Sequence, residues 1–163
     1  MLILGIDPGT AIIGYGLIEA ERGQNCRAKA FGCIKTAAGL ATARRLNDLH
    51  SALTKIIKKY RPDAMAVEDI FFFKNLKTAV KVSQARGVIL LAGQQCHLPI
   101  YEFTPLQVKQ ALTGYGRAEK KQIQQMVKAV LGLDDLPRPD DAADALAIAV
   151  CCFHSLGRPS LKR

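Results

Sequence analysis

The sequence of 163 residues is 49% apolar and 23% charged, which fits one folded globular domain and excludes a disordered chain. Its 23 Lys and Arg against 14 Asp and Glu leave a net charge of +9, biasing the partner toward nucleic acid or an anionic surface. The longest uncharged apolar stretch, Val88 to Gly93, falls far short of the roughly 20 residues that span a bilayer. The opening MLILGID has no basic flank, so neither a membrane span nor a signal peptide is expected.

In chain order, Leu2 to Ile6 is a short apolar run ending in the turn residues Asp7-Pro8-Gly9. Ile12 to Ala20 and Arg27 to Thr36 follow at close spacing, and the three runs read as an antiparallel meander. From Leu40 to Tyr60 the apolar period lengthens (Leu46, Leu49, Leu53, Ile56, Ile57), predicting an amphipathic helix with Arg44, Arg45, Lys55, Lys58 and Lys59 on its other face. Ala64 to Ile70 is a strand reached through that helix and therefore parallel to its partner. A helix over Leu76 to Gln95 and a strand over Ile100 to Phe103 come next. Helices are then predicted over Pro105 to Leu112, Ala118 to Leu131 and Asp140 to Leu156. The order describes one α/β domain over residues 1–156 with a five-stranded mixed sheet, its first three strands antiparallel and the rest parallel, flanked by helices. Residues 157–163 (GRPSLKR) read as a basic, frayed tail.

Five cysteines without a C-x-x-C motif fit reduced thiols in a cytoplasmic protein, and three widely separated histidines give no zinc spacing. The carboxylates carry the chemistry. Asp7 ends the first strand and Glu68 ends the first strand that follows a helix. If those strands are parallel neighbours, both acids project from the carboxyl edge of the sheet, where open α/β folds place their sites. Asp69 is adjacent to Glu68 and points to the opposite face, and counting along the strand does not choose between them. Asp141 and Asp144 are three apart on one helix face, and Asp140, four before Asp144, competes with Asp141. Clustered carboxylates without Cys or His select a hard cation, Mg2+ with Mn2+ as substitute, and two such ions support phosphodiester hydrolysis. No nucleotide cofactor is expected. Phe71-Phe72-Phe73 beside Lys74 and Lys77 suits base stacking and phosphate contact, and Lys81 and Arg86 continue the basic stripe. Lys109, Arg117, Lys120 and Lys121 form a second basic set around Gly114 and Gly116.

With these residues in place, the chain resembles the bacterial RuvC family of crossover-junction endodeoxyribonucleases. The likeness rests on GIDPGT at 5–10, GYG at 14–16, VED at 67–69, KN at 74–75, SQARGV at 83–88, QVKQ at 107–110, AEK at 118–120 and DDAADALAIA at 140–149. It implies a ribonuclease H-like fold, a homodimer, and Mg2+-dependent paired nicking of four-way (Holliday) junctions in recombination and repair. It further implies catalytic, metal-binding acids at Asp7, Glu68, Asp141 and Asp144, choosing Asp141 over Asp140. Phe71 is implied to contact junction bases, Lys109 and Lys120 to meet phosphate near the cut, and a RuvA–RuvB branch-migration helicase to be a partner. Asp69 departs from the family pattern. The competing expectations are a ribonuclease H-like enzyme acting on structured RNA, a junction-binding module without activity, and an actin-like phosphotransferase using the Asp7 turn as a phosphate loop. The last requires two such domains and a second glycine-rich motif, for which this chain has no room.

Overall fold

A computed structural model describes residues 1–20, 25–69 and 76–157. Strands β1 (Leu2–Asp7), β2 (Ile12–Ala20) and β3 (Cys26–Lys35) are followed by α1 (Thr42–Tyr60), β4 (Ala64–Glu68), α2 (Leu76–Gln95) and β5 (Ile100–Phe103). Helices α3 (Pro105–Thr113), α4 (Lys120–Leu131) and α5 (Asp140–Gly157) complete the described chain. The sheet order is β3-β2-β1-β4-β5. β1 and β2 pair antiparallel, as do β2 and β3, whereas β1 with β4 and β4 with β5 are parallel. This is the five-stranded mixed sheet expected from the element order, in the ribonuclease H-like arrangement that the family resemblance implies.

Side-chain alternation along the strands divides the interior into two layers. Ile3, Ile18, Ala66 and Phe103 face α3, α4 and α5, packing on Val108, Leu112, Ile123, Val127 and Leu146. Leu4, Ile6, Ile13, Leu17, Met65 and Val67 face α1 and α2, packing on Leu49, Leu53, Ile57, Ala85 and Ile89. Leu49, Leu53 and Ile57 recur every four residues, so α1 offers one buried stripe, and each such Leu or Ile contributes about 1.5–3 kcal/mol by leaving water.

Two helices start later than their apolar periodicity predicts. At α1, the Leu40 N–H bonds back to the Ala37 carbonyl at 3.2 Å in a turn, so the helix opens at Thr42. At α4, Glu119 is extended (φ −74°, ψ 156°) as the N-cap, so Ala118 is buried from the preceding loop instead of from a helical turn. Among the described residues, no helix is long and apolar enough to cross a membrane.

Candidate active site

In the parallel β1–β4 ladder Ile6 lies opposite Val67, which sets the next residues, Asp7 and Glu68, side by side at the carboxyl edge. Alternation places both on the α3–α5 side of the sheet, because Ile3 and Ala66, of the same parity, pack there. Asp69 has the parity of Val67 and faces α2 instead. There its Oδ1 lies 3.2 Å from Arg86 Nη2. The choice between the two adjacent acids thus follows from which sheet face carries α5.

Helix α5 reaches these strands through missing side chains. A Cβ on Gly5 would lie 2.1 Å from the Ala145 carbonyl oxygen, and one on Gly14 only 1.9 Å from that of Asp141. Gly14 is the cross-strand partner of Asp7, so the backbone of Asp141 rests directly over the neighbour of Asp7. Gly16, opposite Gly5, admits Leu146 in the same way. The alanines of α5 (Ala142, Ala143, Ala145, Ala149) are buried and add little bulk, so helix and sheet backbones come close. The glycines of the GIDPG and GYG segments therefore bring Asp141 and Asp144 to the strand-end acids.

The resulting cleft, about 200 Å³, is lined by Asp7, Glu68 and Asp144 with Lys109, Lys120, Pro105, Val108, Ile123 and Ala147. Thr104 opens α3 with a capping box: Gln107 N–H donates to the Thr104 hydroxyl at 3.2 Å, and Thr104 N–H donates to Gln107 Oε1 at 2.8 Å. Pro105 follows at the first helical position, where its missing N–H costs nothing, and Lys109 projects from the next turn. On α4, Glu119 N–H donates to Gln122 Oε1 at 2.8 Å, fixing the start of the helix and Lys120 with it. Lys120 Nζ lies 3.1 Å from Asp144 Oδ2 and 3.3 Å from Asp140 Oδ2. Asp140 is exposed and also accepts from Gln124 Nε2 at 3.1 Å, whereas Asp141 is partly buried.

The electrostatics are those of crowded acids short of positive charge. Burial, then the charges of Glu68, Asp144 and Asp141, push Asp7 from 3.8 up to about 8, with Lys120 opposing. Burial and Asp144 push Glu68 from 4.5 to about 7, with Lys109 opposing. Asp144 is raised chiefly by burial despite its bond to Lys120. Asp140 is lowered by the Lys120 hydrogen bond, so it behaves as a surface ion-pair partner. For Lys120 burial disfavours the charge, but the hydrogen bond and charge of Asp144, then Asp140, raise its pKa on balance.

Carboxylates that resist ionisation beside one another, with no sulfur or imidazole among the described residues that line the cleft, form a donor set suited to a hard divalent cation. Among the described residues, however, no three His, Cys, Asp or Glu side chains converge into a coordination shell, and the Lys120 ammonium bridges Asp144 and Asp140. The donor chemistry fits a divalent ion, and the side chains stand apart from ligand geometry.

Phe71 and Lys74, and the side chain of Lys77, lie outside the described residues. Lys81 is exposed on α2 and edges a small recess with Thr10, Thr36 and Arg45 on the α1 side of the sheet, away from the acidic cleft. Arg86 is turned to protein partners. Lys121 is exposed beside Tyr115 and Met126 in a neighbouring groove. The sequence reading gave no structural role to the Gly5, Gly14 and Gly16 row or to the Arg86 anchor. Period-2 glycines facing an alanine-rich helix were the available signal for the first, and no local signal existed for the second.

A family model described as Crossover junction endodeoxyribonuclease RuvC matches residues 3–152. The chain belongs to the RuvC family. A crossover junction endodeoxyribonuclease RuvC of Moorella thermoacetica is 59% identical over 151 residues, covering 93% of this chain and 90% of the relative. The RuvC structure of Thermus thermophilus superposes with a TM-score of 0.88 at 36% identity, covering 96% of this chain and 95% of that one. The T. thermophilus RuvC in complex with a Holliday junction substrate gives 0.87 at 34% identity, with the same coverage. RuvC proteins are crossover-junction endodeoxyribonucleases, so the chain is a hydrolytic DNA nuclease of that class.

Proposed function

We propose that this chain resolves four-way DNA junctions by paired, symmetric nicks, with Asp7, Glu68, Asp141 and Asp144 as the metal-binding catalytic acids. The observation that carries the reading is the side-by-side placement of Asp7 and Glu68 at two parallel strand ends, under the α5 face that bears Asp144, with Lys109 and Lys120 on the rim. These four acids would hold Mg2+, or Mn2+ in its place, which when bound activates water and neutralises the leaving oxygen of a phosphodiester. Lys109 and Lys120 meet the phosphate: Lys120 exchanges its contact with Asp144 for a phosphate oxygen as DNA enters, and Lys109 offsets the charge of Glu68. Val108 and Ile123 make the floor apolar and strengthen these charge interactions by excluding water. Phe71 senses the distorted junction, and Lys74, Lys77, Lys81 and Lys121 extend the phosphate contacts.

A four-way junction has approximate two-fold symmetry and needs two cuts, which an isologous homodimer supplies. A second copy suits the outer face of α2, where Val80 and Leu91 are 52% and 51% exposed. Val88 packs toward the core and Ala85 is buried in it, so neither belongs to that outer surface. The partners proposed are junction DNA, a second copy of the chain and the RuvA–RuvB helicase, in the cytoplasm, with residues 1–156 as one domain.

The test is cleavage of a labelled mobile four-way junction at matched salt in Mg2+ and in EDTA, with Asp7→Asn alongside. Symmetric nicks that require Mg2+ and vanish in the variant, with junction binding retained, are expected, because phosphate neutralisation by Lys and Arg dominates affinity. Equal cleavage by Asp7→Asn would refute the assignment of the acids. Competition by duplex DNA or structured RNA at equal potency would refute junction selectivity.

A further inference from the structure

Glu68 is the last residue of β4, and its carboxylate lies on the α3–α5 side, while its backbone is held from the opposite side of the sheet. Arg86 of α2 donates from Nε to the Glu68 carbonyl oxygen at 3.3 Å. Its Nη2 lies 3.2 Å from Asp69 Oδ1 and also pairs with Glu102 Oε2 of β5. The Asp69 N–H closes the same corner by donating to the Phe103 carbonyl at 2.8 Å. Arg86 is only 17% exposed, and two carboxylates already oppose its charge, which weakens its pull on a DNA phosphate. One planar fork thus ties the ends of β4 and β5 to α2, a task that a flexible ammonium performs poorly. Fixing the carbonyl of Glu68 and the residue after it fixes the Cα–Cβ direction of Glu68, and hence the aim of its carboxylate into the cleft.

We infer that Arg86 is a positioning residue that anchors the β4–β5 edge from behind and sets Glu68 for divalent-ion binding, instead of a DNA contact. The inference rests on the proposal that Glu68 is a metal ligand. Asp69, the departure from the family pattern, is then one arm of the anchor.

The test uses Arg86→Met and, because that variant removes the guanidinium that two carboxylates share, the triple variant Arg86→Met/Asp69→Asn/Glu102→Gln. Three quantities are measured: the rise of the melting temperature with added Mn2+, junction binding in EDTA across a salt series, and kcat against Mn2+ concentration. Both variants are expected to need about tenfold more Mn2+ for half-maximal thermal shift and half-maximal kcat, the usual effect of removing a group that orients a metal ligand. Junction affinity and its salt slope remain at the wild-type values. Arg86→Lys recovers only part of the loss.

Weaker junction binding with a salt slope shallower by about one would make Arg86 a phosphate contact and overturn the inference. So would a lower melting temperature with an unmoved Mn2+ midpoint, which would mark a packing role alone. If the wild-type chain and Glu68→Gln share one Mn2+ midpoint, Glu68 is no ligand, and the underlying proposal fails independently of how the Arg86 variants behave.

Discussion

Gly14→Ala adds one methyl group to a strand and is expected to disable catalysis. The new Cβ would stand 1.9 Å from the Asp141 carbonyl oxygen and 2.4 Å from its carbon, both backbone atoms that cannot swing aside. Reaching even 3.0 Å, the floor of real Cβ contacts, requires strand and helix to part by about 1.1 Å at this point. Overpacking of that kind costs about 1–3 kcal/mol. For a domain of this size that is a fall of about 2–12 °C in melting temperature. Because Gly14 faces Asp7 across the ladder, the same displacement lifts Asp141 and Asp144 away from the strand-end acids. A misplacement near 1 Å lowers rate by about 100-fold. The assay is single-turnover cleavage of a four-way junction beside binding in EDTA, with Gly39→Ala as control, since a Cβ there meets nothing within 4 Å. Retained binding with a cleavage rate within twofold of wild type would refute the claim that the glycine row sets the acids.

The raised acids give a pH signature in metal-free protein. Asp7, moved from 3.8 to about 8, and Glu68, from 4.5 to about 7, hold their protons more tightly folded than unfolded. Their contribution to stability is therefore full below about pH 4 and is lost as pH rises through about 7 to 8, by the linkage of proton uptake to folding. Denaturant melts in EDTA should show this decline, and Asp7→Asn should flatten it; an unchanged slope would refute the burial argument. Lys120→Met is expected to lower the cleavage rate by about 100-fold, as loss of one charge-stabilising donor does, with only a modest change in junction affinity. Wild-type rates at saturating Mg2+ would refute a role for Lys120 at the phosphate. Leu91→Glu on the outer face of α2 is expected to give monomers by sedimentation; an unaltered dimer would move the interface elsewhere.

The local elements were legible because their signals are local. Strand runs bounded by Asp7-Pro8-Gly9, the four-residue spacing of Leu49, Leu53 and Ile57, and the Thr104-Pro105 start of α3 depend on residues within a few positions of one another. Helix starts were less sharp, since the periodicity of α1 and α4 runs past the turn at Leu40 and the extended Glu119. The proposal of acids at strand ends also came from sequence, through position and residue type.

Tertiary structure decided what parity alone leaves open. Glu68 and Asp69 differ by one residue and hence by one sheet face, and only the packing of α5 over Gly5, Gly14 and Gly16 makes the Glu68 face the acidic one. Asp140 and Asp141 are equally acidic in sequence, yet Asp140 is exposed on Lys120 and Gln124 while the charge of Asp141 reaches Asp7. Arg86 reads as part of a basic stripe along α2, and its guanidinium instead joins Glu68, Asp69 and Glu102. Sequence thus determined the kinds of groups available and the periods on which they are displayed. Which of them meet depends on contacts between residues far apart in the chain, and those are specified only when helices and sheet pack together.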